Sequence, residues 1–342
     1  MRGEITGSRY PADASRERRT SPVIATRSIG PVPHPLRHVA EIARSAATRG
    51  RRRREDAAAL SELEGVGLAL PEGLKIEWLG VSGYRLSCEG RDLYIDPYVS
   101  RVPLSSLLRR RTALPDVAAL DAFLPPRGEA VGVLVGHTHF DHAIDAPEVA
   151  RRFGCMAYGS ASLVRLMALH GLADRAVEAA PYRTYELGPF EVSFVPSRHS
   201  RLLLGMAMPY SGELTCEHLD GLSPSRYRCG QVWGIHIAVA GVTLYHQGSA
   251  DLVDDAIRHG GVDYFLAGVA GRNFTERYWE RILPRLDPAV VVPTHYDDFF
   301  RPLDEDLETI GAARVGDVPA EVAAVSRDAE VIALPRLPGV TG

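Results

Sequence analysis

The 342-residue sequence predicts an α/β fold built from layers of sheet and helix. Three observations carry this. Short β patterns and helical patterns alternate along most of the chain, and such alternation has to be packed as sheet against helix. The stretch VGVLVGHTHFDH at 131–142 joins an apolar run, long enough for one buried strand, to four potential metal ligands within six residues. Three further strand patterns downstream each end close to a His or an Asp, and ligands gather where loops leave a rigid sheet.

Gly136 ends the apolar run, and His137, His139, Asp141 and His142 follow it. In an extended turn alternate side chains share a side, so His137 and His139 can close on one ion. Asp141 and His142 fall past the bend and can face a second ion beside it. Imidazole nitrogens and carboxylate oxygens suit zinc and similar borderline metals. A lone His would most often be part of a satisfied polar turn, but three His and one Asp in HxHxDH order are hard to place without a metal.

Composition bounds the rest. With 45% hydrophobic residues the chain can bury one large core or two small ones. A net charge of −4 excludes the chain as a whole from binding polyanions. Of 39 basic residues only Lys75 is a lysine, a bias that reflects a GC-rich coding genome rather than a function. Cys88, Cys155, Cys216 and Cys229 form no CxxC pair, so reduced thiols in the cytoplasm are expected. Apolar runs stay short of the ~18–20 residues of a transmembrane span. Arg18-Arg19 is followed by no apolar stretch, so a twin-arginine export signal is not predicted.

Residues 1–70 differ from the rest of the chain. Positions 1–54 hold 13 Arg against Glu4, Asp13, Glu17 and Glu41, and Pro22, Pro31, Pro33 and Pro35 interrupt them. A solvated, largely disordered extension is expected, with a loose helix at 36–48 whose apolar face has only Leu36, Val39, Ala40 and Ala43. Two other readings are open: an electrostatic tether to anionic lipid or nucleic acid, and an Arg-rich transit peptide. Residues 71–342 would then form the folded domain. Deleting 1–68 is expected to leave folding and turnover nearly intact.

Strands are predicted at 74–80, 83–90 and 91–97, joined by tight Gly turns, with Asp96-Pro97 at a strand end. Segment 98–130 reads as an inserted loop with a helix around 115–123. Helices at 146–153 and 160–170 flank a strand at 155–158, and 184–187 and 190–196 form a hairpin. His199 follows the strand pattern 190–195, Asp251 follows 242–245, and His295 follows 289–292. Segment 202–232 is long for a connection and reads as a lid or binding loop. Its Cys216 and Cys229 are expected as free thiols, with pairing or metal binding as alternatives. His236 and His246 lie inside strand patterns and read as structural.

HTHFDH after a hydrophobic strand resembles the signature of the metallo-β-lactamase superfamily, and the resemblance extends from about residue 74 to 300. IDPY (95–98), SRHSR (197–201), WGIHI (233–237) before YHQG (245–248), and PTHYDDF (293–299) look closest to the branch containing ascorbate-6-phosphate lactonase and N-acyl phosphatidylethanolamine phospholipase D. The resemblance implies a four-layer αββα sandwich with two divalent metal ions at its edge, zinc first, manganese or iron as alternatives. By motif position, His137, His139 and His199 would hold the first ion, and Asp141, His142 and His295 the second. A bridging carboxylate would come from the strand ending at Tyr245. The family reads Gly-Asp directly after this strand, whereas this chain reads Gly248-Ser249-Ala250-Asp251. Asp251 is the expected bridge, through a bulged loop. Ser249 is the alternative, and it would remove a negative charge from between two cations.

The implied activity is metal-dependent hydrolysis. Two adjacent ions lower the pKa of a shared water toward neutrality, and the resulting bridging hydroxide is the nucleophile, oriented by Asp141. The chain has no GxSxG elbow, which argues against a serine hydrolase. Tyr296 is either a donor to the leaving group or a packing residue. Arg201, Arg226 and Arg228, with Arg101 and the Arg109, Arg110, Arg111 run, fall in or beside the two long loops. Guanidinium groups favour an anionic small-molecule substrate, a phosphodiester or a phosphorylated or carboxylated lactone. Two other classes are open: a nuclease of the same superfamily and a non-catalytic metal-binding scaffold. The short stretch from Asp251 to His295 has no room for the large inserted domain of one nuclease branch.

Overall fold

The computed structural model describes residues 35–201, 207–311 and 313–337, with side chains from residue 50 onward. The Arg- and Pro-rich segment before Pro35, and with it most of the candidate tether, lies outside the described residues.

The first helix, α1 (Pro35–Val66), is much longer than the one expected at 36–48. Its later turns belong to the domain. Leu60 is buried in the main core, and Leu63, Leu68 and Leu70 pack against it. Asp56 is buried and accepts hydrogen bonds from the Gly316 amide at 2.9 Å and the Thr309 hydroxyl at 3.3 Å. Arg53 pairs with Glu308 at 2.5 Å. Residues from Pro35 onward fall in one compact unit, so the contacts of α1 cross the expected boundary at residue 70 and bear against the expectation that 1–68 can be deleted without harm. The Arg-rich first half obscures this, because the leucines that dock the helix come only after it.

Strands β1 (Lys75–Gly80), β2 (Gly83–Cys88) and β3 (Arg91–Ile95) form an antiparallel meander at the expected positions. The β2–β3 turn is Glu89-Gly90, both at positive φ (51° and 73°), as a two-residue hairpin requires. Two short helices, α2 (Leu104–Leu108) and α3 (Val117–Phe123), occupy the insertion. β4 (Glu129–Leu134) then adds parallel to β3. After it come α4 (Phe140–Ala143), α5 (Ala146–Phe153), β5 (Ala157–Gly159), α6 (Ala161–Leu169) and β6 (Ala176–Glu178). α5 has Pro147 in its first turn and Gly154 at φ 71° just past its end, the signals that place a helix there. These six strands form one sheet in the order β1-β2-β3-β4-β5-β6.

The second sheet begins with the antiparallel run β7 (Thr184–Leu187), β8 (Phe190–Ser197), β9 (Val232–Val239) and β10 (Val242–Gln247). β11 (Tyr264–Gly268), α7 (Tyr278–Leu286), β12 (Val290–Thr294), α8 (Val318–Ala323) and β13 (Glu330–Val331) complete it, with parallel pairing from β10 through β13. The sheet order is β13-β12-β11-β10-β9-β8-β7. β11 and β12 are apolar along nearly their whole length because both of their faces are covered.

One core joins the facing sides of the two sheets, among them Trp78, Leu86, Phe194, Ile235, Phe265 and Val292, and continues to Ile282 of α7 and Val322 of α8. A second lies between the first sheet and α5–α6, around Val133, Val149, Leu163 and Leu166. The molecule is thus an αββα sandwich, as expected. Among the described residues no helix is long and apolar enough to cross a membrane.

Candidate metal centre

β4, β8, β10 and β12 all run out at one edge of the sandwich, and the donor-bearing loops start there. Past β4, Val135 still pairs with Tyr158 and the Gly136 carbonyl accepts from the Trp233 amide at 2.8 Å, so the chain stays extended through His139. His139 has φ −64° and ψ 154° and caps α4; the amides of His142 and Ala143 both donate to its carbonyl at 3.0 Å. Extension followed by a helical turn delivers His137 and His139 to one side and swings Asp141 and His142 back beside them.

His137 Nε2 and His139 Nδ1 face each other at 3.1 Å. The His199 ring lies with its centre 4.8 Å from that of His137 and 4.7 Å from that of His139. His142 lies 3.9 Å from His137, centre to centre, and joins the two groups. On its far side His295 Nε2 is 3.3 Å from Asp141 Oδ2, and His142 Nε2 is 3.8 Å from the same oxygen. The ligand atoms of Asp141, His142 and His295 all lie within 4.8 Å of one another. Two adjoining donor sets therefore occupy this edge: His137, His139 and Cys229, whose ligand atoms lie within 4.8 Å of one another, and Asp141, His142 and His295; the His199 ring stands beside the first set without its nitrogen falling in either group.

The tautomers follow from the outer partners, since a carbonyl or carboxylate can only accept. His199 Nδ1 donates to the Ser200 carbonyl at 2.7 Å, His139 Nε2 to Pro209 at 3.0 Å, and His142 Nδ1 to Asp96 at 2.8 Å. Each ring is left with one lone pair; that of His139 faces His137 and that of His142 faces Asp141. Burial, reinforced by the neighbouring imidazoles, pushes His137 well below the ordinary histidine range. Burial likewise lowers His139 to about 4 and His199 to about 3. These rings are neutral at physiological pH, the form that ligates a metal. Burial alone would raise the Asp141 carboxyl, but His142 and His295 outweigh it and hold the group below the usual carboxylate range. Burial works to lower His142, and Asp96 with Asp141 overrides it.

The sequence does not single out Asp96 beyond its place in IDPY. It ends β3, next to β4 in the sheet, and its carboxylate takes the Gly136 amide at 2.7 Å as well as His142. The space is tight: a Cβ at Gly248 would sit 2.9 Å from Asp96 Oδ2 and 3.3 Å from His142. His295 sits at φ 60°, a strained value for a non-glycine residue, and its amide donates to the Val81 carbonyl at 2.8 Å. The Thr294 hydroxyl donates to that same carbonyl, and Val81 in turn donates to Asp297 at 2.8 Å.

Two expected site residues are not delivered. The Asp251 carboxylate accepts from the Leu252 amide at 2.8 Å and pairs with Arg281 of α7 at 3.2 Å. It belongs to neither donor set. Gln247 Nε2 holds the Ser249 and Asp251 carbonyls at 3.0 and 2.9 Å, which folds the loop so that residue 251 faces α7. Ser249 stands nearer the edge, and its hydroxyl accepts from the Ser200 amide at 2.9 Å. Tyr296 is fully buried between the sheets, 4.8 Å from Trp78 between ring centres, a placement that favours packing over substrate contact.

Of the arginines, Arg201 and Arg226 are exposed, and Arg228 reaches the Ser211 carbonyl at 3.4 Å. Arg101 is instead buried against Asp297 at 2.8 Å. His246 donates to the Ser82 carbonyl at 2.9 Å inside β10, a structural role as expected. All four cysteines are free, and Cys229 lies beside His137 and His139.

A family model described as the β-lactamase superfamily domain matches residues 75–295. A protein of Cereibacter sphaeroides named as a metal-dependent hydrolase is 27% identical over 232 residues, 66% of this chain and 87% of the relative. One of Staphylococcus aureus with the same description is 26% identical over 254 residues, 72% of this chain and 95% of the relative. A metallo hydrolase structure from Ignicoccus hospitalis is 19% identical with a TM-score of 0.47, over 78% of this chain and 96% of that one. The match of the family model to 75–295, over the strands that carry the donor loops, establishes that the chain belongs to the metallo-β-lactamase superfamily.

Proposed function

We propose that the protein is a metal-dependent hydrolase with two adjoining ion subsites, His137–His139–His199 and Asp141–His142–His295. The observation that carries this is the convergence on a single edge of the buried, neutral His137, His139 and His199 rings with His142, His295 and the ionised Asp141 carboxylate. Such a donor set is costly to bury for structure alone and fits zinc or a similar borderline divalent ion. When bound, the ions supply a water activated at neutral pH and polarise the substrate oxygen under attack. The residues do the rest. Asp96 fixes the His142 ring, Ser200 and Pro209 fix His199 and His139, and Asp141 accepts and orients a proton donor at the edge.

The substrate class we propose is an anionic phosphodiester or a phosphorylated or carboxylated lactone. The support is the pair of exposed guanidinium groups, Arg201 and Arg226, on the two ends of the long loop that follows His199. Arg201→Ala and Arg226→Ala should raise KM for an anionic substrate more than for a neutral ester; equal effects on both would remove the support. The main test is elemental analysis of protein purified without chelator, joined to hydrolysis of bis-p-nitrophenyl phosphate. Bound zinc with chelator-sensitive turnover is expected. A protein that neither carries nor takes up metal would overturn the reading. Metal without any hydrolysis would favour a binding scaffold, a reading that draws on the engagement of Asp251 by Arg281.

A further inference from the structure

Three of the four cysteines have an ordinary explanation. Cys88 lies in the core between the sheets, Cys155 in the core under α5–α6, and Cys216 packs on the edge of the latter. Buried cysteine usually behaves in this way, as a small apolar residue. Cys229 is as fully buried as any of them and belongs to neither core. Its Sγ lies instead among imidazole nitrogens: this atom and the ligand atoms of His137 and His139 are all within 4.8 Å of one another.

This placement is held from two sides. The Thr138 amide and hydroxyl both donate to the Cys229 carbonyl at 2.9 Å, and Thr138 is the residue between the two histidines. The Cys229 amide donates to Tyr210 at 2.9 Å, and the Gly230 amide donates to Gly212 at 3.0 Å. The long connection between β8 and β9 is thus laced to the donor loop at the residue that carries the thiol. Charge gives a reason for it. His137, His139 and His199 are neutral, Ser249 is neutral, and the Asp251 carboxylate is engaged by Arg281, so the nearby Asp141 carboxylate is shared with the adjoining donor set and the group of His137, His139 and Cys229 holds no carboxylate of its own. An uncompensated divalent ion in a buried site is electrostatically costly.

Resting on the metal reading above, we infer that Cys229 is the fourth protein ligand of the His137–His139–His199 subsite. On ligation the thiol proton passes to solvent and the sulfur takes the ion as thiolate; no oxidant is involved. Four protein ligands close a tetrahedral site, whereas catalytic sites keep a position open. The open position then falls to the Asp141–His142–His295 subsite. Thiolate ligation also favours zinc or cobalt over manganese.

The test uses the full-length protein loaded with cobalt(II). Wild type should show the near-ultraviolet thiolate-to-cobalt charge-transfer band. Cys229→Ser and Cys229→Ala should lose it while keeping the visible cobalt bands of the imidazole ligands. Wild type that binds cobalt without the charge-transfer band would overturn the role of Cys229 and leave the metal reading standing. A band that survives in both variants would overturn it as well. Protein that takes up no cobalt and no zinc would overturn both. If neither variant folds, X-ray absorption at the zinc edge of wild type decides: one sulfur scatterer among nitrogens supports the assignment, and none overturns it.

Discussion

Residues 137–142 and 248–251 are both short loops leaving a strand at the same edge, and both carry residue types that bind metal. In the first, the four donor-type residues stand together at the edge. In the second, the expected carboxylate does not join them. The difference lies in what decides the direction of each side chain. An extended tripeptide followed by one helical turn sets the directions of His137, His139, Asp141 and His142 from the local backbone, and distant partners such as Asp96 and Pro209 then hold the rings. Asp251 is directed by Gln247, which gathers the loop carbonyls, and by Arg281, thirty residues further along the chain. A motif is readable when its geometry is local, and loses that when a distant partner competes for the side chain.

The comparison breaks most sharply under substitution of one residue from each loop. His139→Ala should abolish metal binding and with it turnover. Asp251→Ala should keep the metal and lose only the contact with Arg281. That pair is 20–25% exposed and Arg281 retains Asp254 at 2.6 Å, so the cost should be no more than ~1 kcal/mol. Elemental analysis and thermal melting of the two variants measure this. Loss of metal from Asp251→Ala would mean that the loop rearranges on binding and that the carboxylate does reach the ions.

The same rule explains how much of the molecule is legible in its sequence. The three N-terminal strands, the helix at 146–153 and the ligand-bearing ends of β4, β8 and β12 are local patterns, and all can be read. Asp96 cannot, because its role comes from β3 lying next to β4 in the sheet. For Cys229 metal binding stands in the sequence only as an alternative to a free thiol, because its neighbours are about ninety residues earlier and reach it through Thr138. The docking of α1 is hidden by the Arg-rich half of the same helix. In each case the missing information is a long-range pairing rather than a residue type.

Docking of α1 predicts the next largest effect. Leu60 is 5% exposed in the main core, so Leu60→Ala should cost ~2–4 kcal/mol by loss of burial and creation of a cavity. Chemical denaturation measures it, and deletion of 1–68 should cost more. A variant as stable as wild type would restore the helix to the status of a detachable extension.

Asp96→Asn sharpens the case for partners outside the ligand set. Asparagine keeps the shape and can still accept the Gly136 amide, but it loses the charge that holds His142 in its donating tautomer. Metal affinity, measured by competition with a chelator, should fall ~10–100-fold with the fold intact. Unchanged affinity would reduce Asp96 to a packing residue.

Tyr296→Phe should have the smallest effect, and its sign is informative. Tyr296 follows His295 directly, and the alternation that turns one side chain to the metal edge turns the next into the core against Trp78. Its hydroxyl is buried without a hydrogen-bond partner. A buried polar group left unpaired costs ~1–3 kcal/mol, and removing it while keeping the ring leaves the packing in place. Tyr296→Phe should therefore melt at the same temperature as wild type or higher, with kcat and KM unchanged. A marked loss of kcat at unchanged stability would show that the hydroxyl reaches the substrate after all, and that adjacency to a ligand had been the better guide.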